Sequence, residues 1–406
     1  MDRAGPAIAL DVSRLLSRAG RETATGIDRV ELAYAQRLLG AGRPVHGAAF
    51  AGPRGIGPAA PRQAAEFAAG LAALWRGEVA APAALHRLKL LALRLRLGAW
   101  QGGARALAAR LRGGRAPVYL LVSHHHLERR GAIARLKAAA GARFVCLIHD
   151  LIPVQYPEYA KPGQAAHHLR RIETAAALAD ALIVNSAVTR EALLPHLERA
   201  GRRPPVVVAP FGTDLPPAPR DDGPPPAQPY FVYVSTIEAR KNHILLLNLW
   251  RDLAERLGPG APRLVLVGQR GWETENVVDM LERCPGLREV VSEYNTLPDA
   301  DMVRLLRGAR ALLLPSFAEG FGFPLAEGLA LGVPALCSDI PALRETGGDV
   351  PEYFHPLDGL GWRDAVLDYA RPQAPRRDAQ LARLAQWRPA SWDDHFAAFD
   401  RLLEEL

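Results

Sequence analysis

Pro315-Ser316-Phe317-Ala318-Glu319-Gly320-Phe321-Gly322-Phe323-Pro324-Leu325-Ala326-Glu327 is the stretch that decides how this chain folds. An apolar run, Ala309 to Pro315, leads into it and reads as a buried parallel strand. A Gly-rich turn follows, and then a helix opens. Pro324 suits the first helical position, where its missing N–H would have no partner anyway. Gly332 is the expected C-cap, and Val333 to Cys337 reads as the next strand. This order sets backbone N–H groups and the positive end of a helix dipole at the carboxyl edge of a sheet. That is a site for an anion such as a diphosphate. Glu319 in the turn and Glu327 in the first helical turn bracket it.

The same alternation continues on both sides. After the motif's own domain begins, the strands are Phe231 to Ser235, Arg263 to Gly268 and Val290 to Val291. Helices are expected at His243 to Leu257, Glu275 to Arg283 and Ala300 to Gly308. In the first half, Ala7 to Val12, Val118 to Val122, Phe144 to His149, Ala181 to Asn185 and Val206 to Ala209 read as buried strands. Helical patterns lie at Arg29 to Leu39, after the turn Thr25-Gly26-Ile27-Asp28, and at Gln164 to Leu178. Strands alternating with helices predict parallel sheets covered on both faces. The Pro-rich run Leu215 to Pro229 has no apolar period and reads as a linker. The expected fold class is therefore α/β, with two doubly wound Rossmann-like domains facing across a cleft. Their bounds are 1–215, with a helical insert at 51–116, and 230–385, joined by the linker 216–229. Ligands in such folds sit outside the carboxyl ends of the strands. Residues 386–406, with the N-cap candidate Ser391, form an amphipathic helix expected to cross back over the domains.

A chain of 406 residues can bury a large core, and 49% apolar with 23% charged residues is ordinary globular composition. Cys146, Cys284 and Cys337 are scattered in apolar runs, which suits reduced core residues of a cytoplasmic protein rather than a disulfide or zinc framework. Neither a signal segment nor an apolar stretch of spanning length is expected. The net charge is +7, and only Lys89, Lys137, Lys161 and Lys241 are lysines. A basic balance suits a phosphorylated ligand, an acidic membrane or nucleic acid, and does not choose among them.

Several blocks stand in a fixed order: Leu10-Asp11-Val12-Ser13-Arg14, Thr25-Gly26-Ile27-Asp28-Arg29-Val30, His149-Asp150-Leu151-Ile152-Pro153, Val184-Asn185-Ser186 and Pro210-Phe211-Gly212-Thr213-Asp214. The second half adds Val234-Ser235-Thr236-Ile237-Glu238-Ala239-Arg240-Lys241-Asn242, Leu266-Val267-Gly268-Gln269-Arg270-Gly271-Trp272 and Glu319-x(7)-Glu327. Together they resemble the retaining GT-B glycosyltransferases of family 4, a group that includes bacterial mannosyltransferases of surface polysaccharide synthesis. The resemblance covers most of the chain except roughly Ala51 to Ala116.

The resemblance implies a retaining, metal-independent hexosyltransferase that moves sugar from a nucleotide diphosphate sugar to a growing glycan or lipid-linked acceptor, forming an α-glycosidic bond. Its products would be capsule, O-antigen or exopolysaccharide. GDP-mannose leads as donor by resemblance, with UDP-sugars open, and no cofactor or metal is expected. Fixed cations can stabilise the charge that grows on the leaving β-phosphate. Arg240 and Lys241 are expected to contact the diphosphate; the alternative is two cations that only solvate a helix start. Glu327 matches the position that accepts both ribose hydroxyls. Glu319 matches the carboxylate beside the donor sugar, where it can stabilise oxocarbenium character. Backbone N–H groups of Gly320, Phe321 and Gly322 would meet the sugar hydroxyls or phosphate. His149 would stand near the reaction centre, and Asp150 would hold its loop or orient the acceptor. Gly26 matches a flexible first loop near the phosphates or acceptor. Many relatives carry Gly-Gly there and Gly-Arg where this chain has Ser235-Thr236, which leaves more of the phosphate to Arg240, Lys241 and Arg270. Asn185 and Ser186 are either ligand contacts or loop caps.

Three further signals have plainer readings. Asp299-Ala300-Asp301 resembles a metal-binding D-x-D but precedes a helix, where Asp is a preferred N-cap. His124-His125-His126, taken as a continuation of the strand before it, would point to alternate faces and not converge on one ion. Leu85 to Arg112 is basic and amphipathic, and either lies on an anionic membrane at the inner face of the plasma membrane or covers the N-terminal sheet as a helical hairpin. It carries no interleaved aromatic platform, so nucleic acid is not expected. The rival functions are a catalytically silent scaffold that binds nucleotide or glycan, and a basic membrane-surface protein.

Overall fold

The structure, a computed structural model, describes residues 6–40, 44–112, 115–213 and 228–406. All but the last two residues of the expected linker 216–229 lie outside the described residues. The chain divides into two units. Unit 1 is Met1–Gln155, Gly163–Gly212 and Ser391–Leu406; unit 2 is Tyr156–Pro162 and Thr213–Ala390.

Unit 1 holds β1 (Ile8–Asp11), β2 (Val45–Phe50), β3 (Ile56–Ala59), β4 (Val118–Leu121), β5 (Arg143–Ile148), β6 (Ala181–Val184) and β7 (Val206–Val208). They form one sheet in the order β3-β2-β1-β4-β5-β6-β7. All neighbours are parallel except β2 and β3, which pair antiparallel. The central strands are near-continuous apolar runs, and Phe144–Ile148 and Ala181–Val184 are fully buried, as strands covered on both faces must be.

The segment 51–116, read as a helical insert, also holds a strand. It contains the edge strand β3, whose Pro58 is tolerated because an edge strand can spare an N–H. Helices Pro61–Trp75 and Ala81–Leu111 follow, the second bent at Gly103. Gly57 lets that helix approach closely: a Cβ there would stand 1.9 Å from the Ala99 carbonyl oxygen. Leu88, Leu91, Leu95 and Ala99 are buried on the helix's inner side.

The expected crossing helix is Trp392–Glu405, capped by Ser391, whose Oγ accepts from the Asp394 N–H at 3.0 Å. It packs into unit 1. His395 Nε2 lies 2.8 Å from the Tyr34 hydroxyl, its Nδ1 lies 3.0 Å from the Ala209 carbonyl, and Phe396 and Phe399 meet the Tyr34 ring edge-on.

Unit 2 holds β8 (Tyr230–Val234), β9 (Arg263–Val267), β10 (Val291–Tyr294), β11 (Ala311–Leu314), β12 (Ala335–Ser338) and β13 (Glu352–Phe354). Every pair is parallel, in the order β10-β9-β8-β11-β12-β13. In sequence order that is 3-2-1-4-5-6, the doubly wound arrangement whose direction of growth reverses between β8 and β11. Helices His243–Leu257 and Glu275–Arg283 here, and Gln164–Leu178 in unit 1, keep the bounds read from the sequence. The helix after β10 begins at Asp299 with Pro298 as N-cap, so Asp299 and Asp301 lie in the first turn and not at the cap. Carboxylates there still complement the helix dipole.

Candidate active site

The reversal between β8 and β11 leaves a gap at the carboxyl edge of the unit 2 sheet, and the chain fills it with charge. After β8 it turns through Ser235–Glu238 into a 3-10 turn, Ala239–Lys241, and Asn242 starts the next helix with φ at 55°. Asparagine is among the few residues that accept this left-handed conformation. Its side-chain amide donates to the Pro315 carbonyl at 3.1 Å and the Pro356 carbonyl at 2.9 Å. The Phe317 N–H donates to the Arg240 carbonyl at 2.9 Å, and the Tyr233 hydroxyl to the Lys241 carbonyl at 2.7 Å. The Arg-Lys turn is thereby fastened to the loop that follows β11.

That loop carries Glu319. Its carboxylate accepts from Lys241 Nζ at 2.5 Å and from Arg240 Nη1 at 3.0 Å. Arg240 also donates to the Ala318 carbonyl at 2.5 Å and, through Nη2, to Glu238 Oε1 at 2.6 Å. The side chains of Glu319, Lys241 and Arg240 are only 7%, 10% and 17% exposed, so these charges face one another with little water between them. Burial alone would raise the Glu319 carboxyl; Lys241 and Arg240 outweigh it and hold it down at about 2. Burial, then Arg240, lowers the Lys241 ammonium, against the pull of Glu319.

The helix Phe323–Ala330 opens beside this cluster, with Gly322 at its N-cap. Gly322 has φ at +90°, and a Cβ there would stand 2.7 Å from Leu343 Cδ2, so both conformation and space call for glycine. Glu327 is the fifth residue of this helix, one residue further in than the sequence suggested, and is half-buried. Gly320, Phe321 and Gly322 form the turn between Glu319 and the helix, and the Phe321 carbonyl accepts from the Thr346 hydroxyl at 2.5 Å. Arg270, following β9, forks onto Glu293 at 2.9 and 2.8 Å and reaches Glu282 at 2.5 Å. The structure thus joins Arg240, Lys241 and Glu319, and pairs Arg270 with other carboxylates.

In unit 1 the reversal falls between β1 and β4. Asp11, at the end of β1, accepts from the Ser13 N–H and the Tyr119 hydroxyl, each at 2.9 Å. Gly26 is not in a loop. It is the first residue of the helix Gly26–Leu39, which Thr25 and Asp28 close with a capping box. Asp28 Oδ1 takes Arg14 Nε at 2.6 Å and Arg18 Nε at 3.0 Å. The three consecutive histidines lie past the end of β4, in a turn with His126 at φ 60°. His124 meets the rings of His149 and His168 edge-on, at 5.2 and 4.8 Å. Its Nε2 accepts the His149 N–H at 3.1 Å, so that nitrogen carries no proton. His149 itself is buried, with Nε2 2.9 Å from the Val122 carbonyl, and burial pushes it down to about 4. Asp150 accepts the Ile152 N–H at 3.1 Å and so holds its own loop. Asn185 donates to the His149 carbonyl at 2.9 Å, and Ser186 caps the helix Ala187–Arg199. Both act as caps in this structure.

Residues 217–349 match the family described as glycosyl transferases group 1. Over 168 residues it is 35% identical to O-antigen chain mannosyltransferase B of Escherichia coli, covering 41% of this chain and 43% of that protein. Over 233 residues it is 29% identical to the serotype-specific mannosyltransferase WbdA of Escherichia coli, covering 53% and 28%. The chain thus spans less than half the length of these relatives. Among solved structures, HepE of Anabaena in complex with UDP superposes with a TM-score of 0.64 at 14% identity, over 99% of this chain and 100% of that one. Sucrose-phosphate synthase of Thermosynechococcus elongatus gives 0.63 at 16% identity, over 98% of each. These likenesses establish the GT-B fold, two parallel-sheet Rossmann-like units.

Within residues 217–349, Glu238, Tyr233, Ser316 and Asn242 shape the cluster, and sequence reasoning assigned none of them a role of its own. Asn242 had a readable signal, an asparagine directly before a strong helical pattern. A cavity of about 730 Å³ lies at the opposite edge of the sheet, beside Arg263 and Glu289 and away from the cluster.

Proposed function

We propose that this chain is a retaining glycosyltransferase that moves a hexose from a nucleoside diphosphate sugar to a growing or lipid-linked glycan, forming an α-linkage in bacterial surface polysaccharide synthesis. The observation that carries this reading is the buried Arg240–Lys241–Glu319 cluster, set where the sheet reverses and beside a helix N-terminus. Two fixed cations and aligned backbone dipoles act strongly where water is scarce, and they suit the charge that develops on a leaving diphosphate. They supply the charge stabilisation for which other transferases use a divalent ion, so we take the reaction to be metal-independent.

In this reading the diphosphate takes Arg240 and Lys241. Glu319, released from both cations, faces the sugar and stabilises positive character at C1. Glu327 accepts the ribose hydroxyls, and the turn Gly320-Phe321-Gly322 offers backbone groups to the sugar or phosphate. The bond from C1 to the β-phosphate oxygen breaks, and the acceptor oxygen bonds C1 on the same face. The acceptor proton passes to the departing phosphate oxygen, so no protein base is needed. From unit 1 we keep His149 and Asp150 as contributors to transfer; a neutral His149 can share a hydrogen bond but brings no charge. Gly26 and Arg270 stay as proposed donor contacts, Arg270 only on leaving Glu282 and Glu293.

The mannosyltransferase relatives make GDP-mannose the first donor to test, and UDP-sugars the second. Purified protein with each donor and a lipid-linked saccharide acceptor should release one nucleoside diphosphate per sugar moved, equally with Mg²⁺ or EDTA. The product's anomeric proton should report the α-linkage. Inverted product, or release that stops with EDTA, would refute this mechanism.

A further inference from the structure

The helix Ala81–Leu111 has two apolar faces. The inner one, Leu88, Leu91, Leu95 and Ala99, is buried within unit 1. The outer one is a row of large side chains at Leu90, Leu93, Leu97 and Trp100, exposed by 46, 53, 49 and 48%. Their spacing of three, four and three residues stacks them along one side of a helix with 3.6 residues per turn, opposite the buried row. The row is roughly 15 Å long at 1.5 Å per residue. Cations border it on both sides: exposed Lys89 and Arg96 along one, exposed Arg87 and Arg94 along the other. The helix contains six cations and no Asp or Glu. Arg87 meets Glu66 of the neighbouring helix at 2.5 Å, and Arg96 donates to the Leu16 carbonyl at 2.9 Å. Arg54 adds a guanidinium 4.0 Å from the centre of the Trp100 ring.

Isolated exposed leucines are ordinary, but a continuous row between two rails of positive charge is not. We propose that this outer face docks on an anionic lipid bilayer, with the four apolar side chains entering the acyl boundary and the flanking cations holding lipid phosphates. The charge pattern selects this occupant. Two copies packed row to row would bring their cations together, whereas a bilayer surface offers apolar depth between anionic headgroups. Lysine and arginine stems can lie along acyl chains while their charges reach the phosphates, and tryptophan favours that boundary. A helix of this kind lies in the interface plane, its apolar side roughly 5–10 Å deep. In this proposal the segment covers unit 1 with one face and meets lipid with the other.

The test is flotation of the whole protein with phosphatidylcholine vesicles, with and without phosphatidylglycerol. The variants are Leu93→Gln with Leu97→Gln, and Lys89→Gln with Arg94→Gln; all four positions are exposed, and thermal unfolding verifies that each variant folds. The wild type should float only with phosphatidylglycerol and detach as salt is added. Each double variant should partition at least tenfold less, on the order of fivefold per cation removed. No flotation of the wild type, or flotation that both variants retain, overturns the proposal. So does a wild-type dimer that the leucine variant turns into monomer without any vesicle binding. The readout involves no sugar transfer, so its failure leaves the donor-site reading untouched.

Discussion

Glu319 occupies the two cations that a diphosphate would need. A donor therefore competes with a carboxylate already in place, and removing that carboxylate separates binding from transfer. Glu319→Ala should lose transfer by roughly 10²–10³-fold, the scale of one transition-state contact. Calorimetry should find the free nucleoside diphosphate bound more tightly, by about tenfold, because hydrogen bonds to charged groups no longer have to be exchanged. A second carboxylate carries a pH signature. Glu31 is wholly buried; burial first, then Asp11, raises it from 4.5 to about 8. The folded state then holds a proton that the unfolded state has released, so stability falls as pH rises from about 4.5 to about 8 and levels off above. Glu31→Gln should flatten that slope in urea titrations. Glu319 works the other way: its contribution is present above 4.5 and lost as pH falls toward about 2. The meeting of Arg240, Lys241 and Glu319 was legible in the sequence because each follows an apolar run that ends at the same sheet edge. The pairing of Arg240 Nη2 with Glu238 was not, since two residues of separation in a turn say nothing about which way the side chains face.

The Arg-Lys turn depends on one asparagine. Asn242 supplies both the left-handed backbone and the two amide bonds that tie this turn to the loops after β11 and β13. Asn242→Ala should cost about 2–4 kcal/mol in denaturant unfolding, from two buried acceptors left unmet and a strained φ. Donor KM should rise with it, and a neutral outcome would detach the turn from the site. Long helices with a clear apolar period, such as His243–Leu257, were legible to the residue because the period and its flanking breakers agree. β3 was not, because four residues that include Gly57 and Pro58 carry no strand pattern, and pairing with β2 alone makes them one. The helix start at Gly26 was hidden by reading glycine as a loop residue, although Thr25-x-x-Asp28 already spelled a capping box.

Across the whole molecule, the last helix completes the first unit. Phe396, Phe399, Leu402 and Leu403 are buried there, and Tyr34 takes the His395 ring. Each such side chain is worth about 1.5–3 kcal/mol, so their sum rivals the roughly 5–15 kcal/mol that holds a domain folded. Truncation after Ala390 should abolish the cooperative melting of unit 1 in calorimetry; an unchanged transition would show that the helix is dispensable. The amphipathic pattern after Ser391 was readable as a docking helix. Its place in unit 1 follows from long-range contacts that no local pattern encodes. Among the described residues no helix is long and apolar enough to cross a membrane. The most direct test of the donor site is thermal unfolding of the protein with GDP, UDP, ADP, dTDP and CMP, with Mg²⁺ or EDTA, beside Lys241→Gln. One nucleoside diphosphate should stabilise the wild type by roughly 2.7 kcal/mol at a hundred times its Kd, equally with EDTA, and not the variant. No shift with any nucleotide, or a shift that Lys241→Gln retains in full, would contradict it.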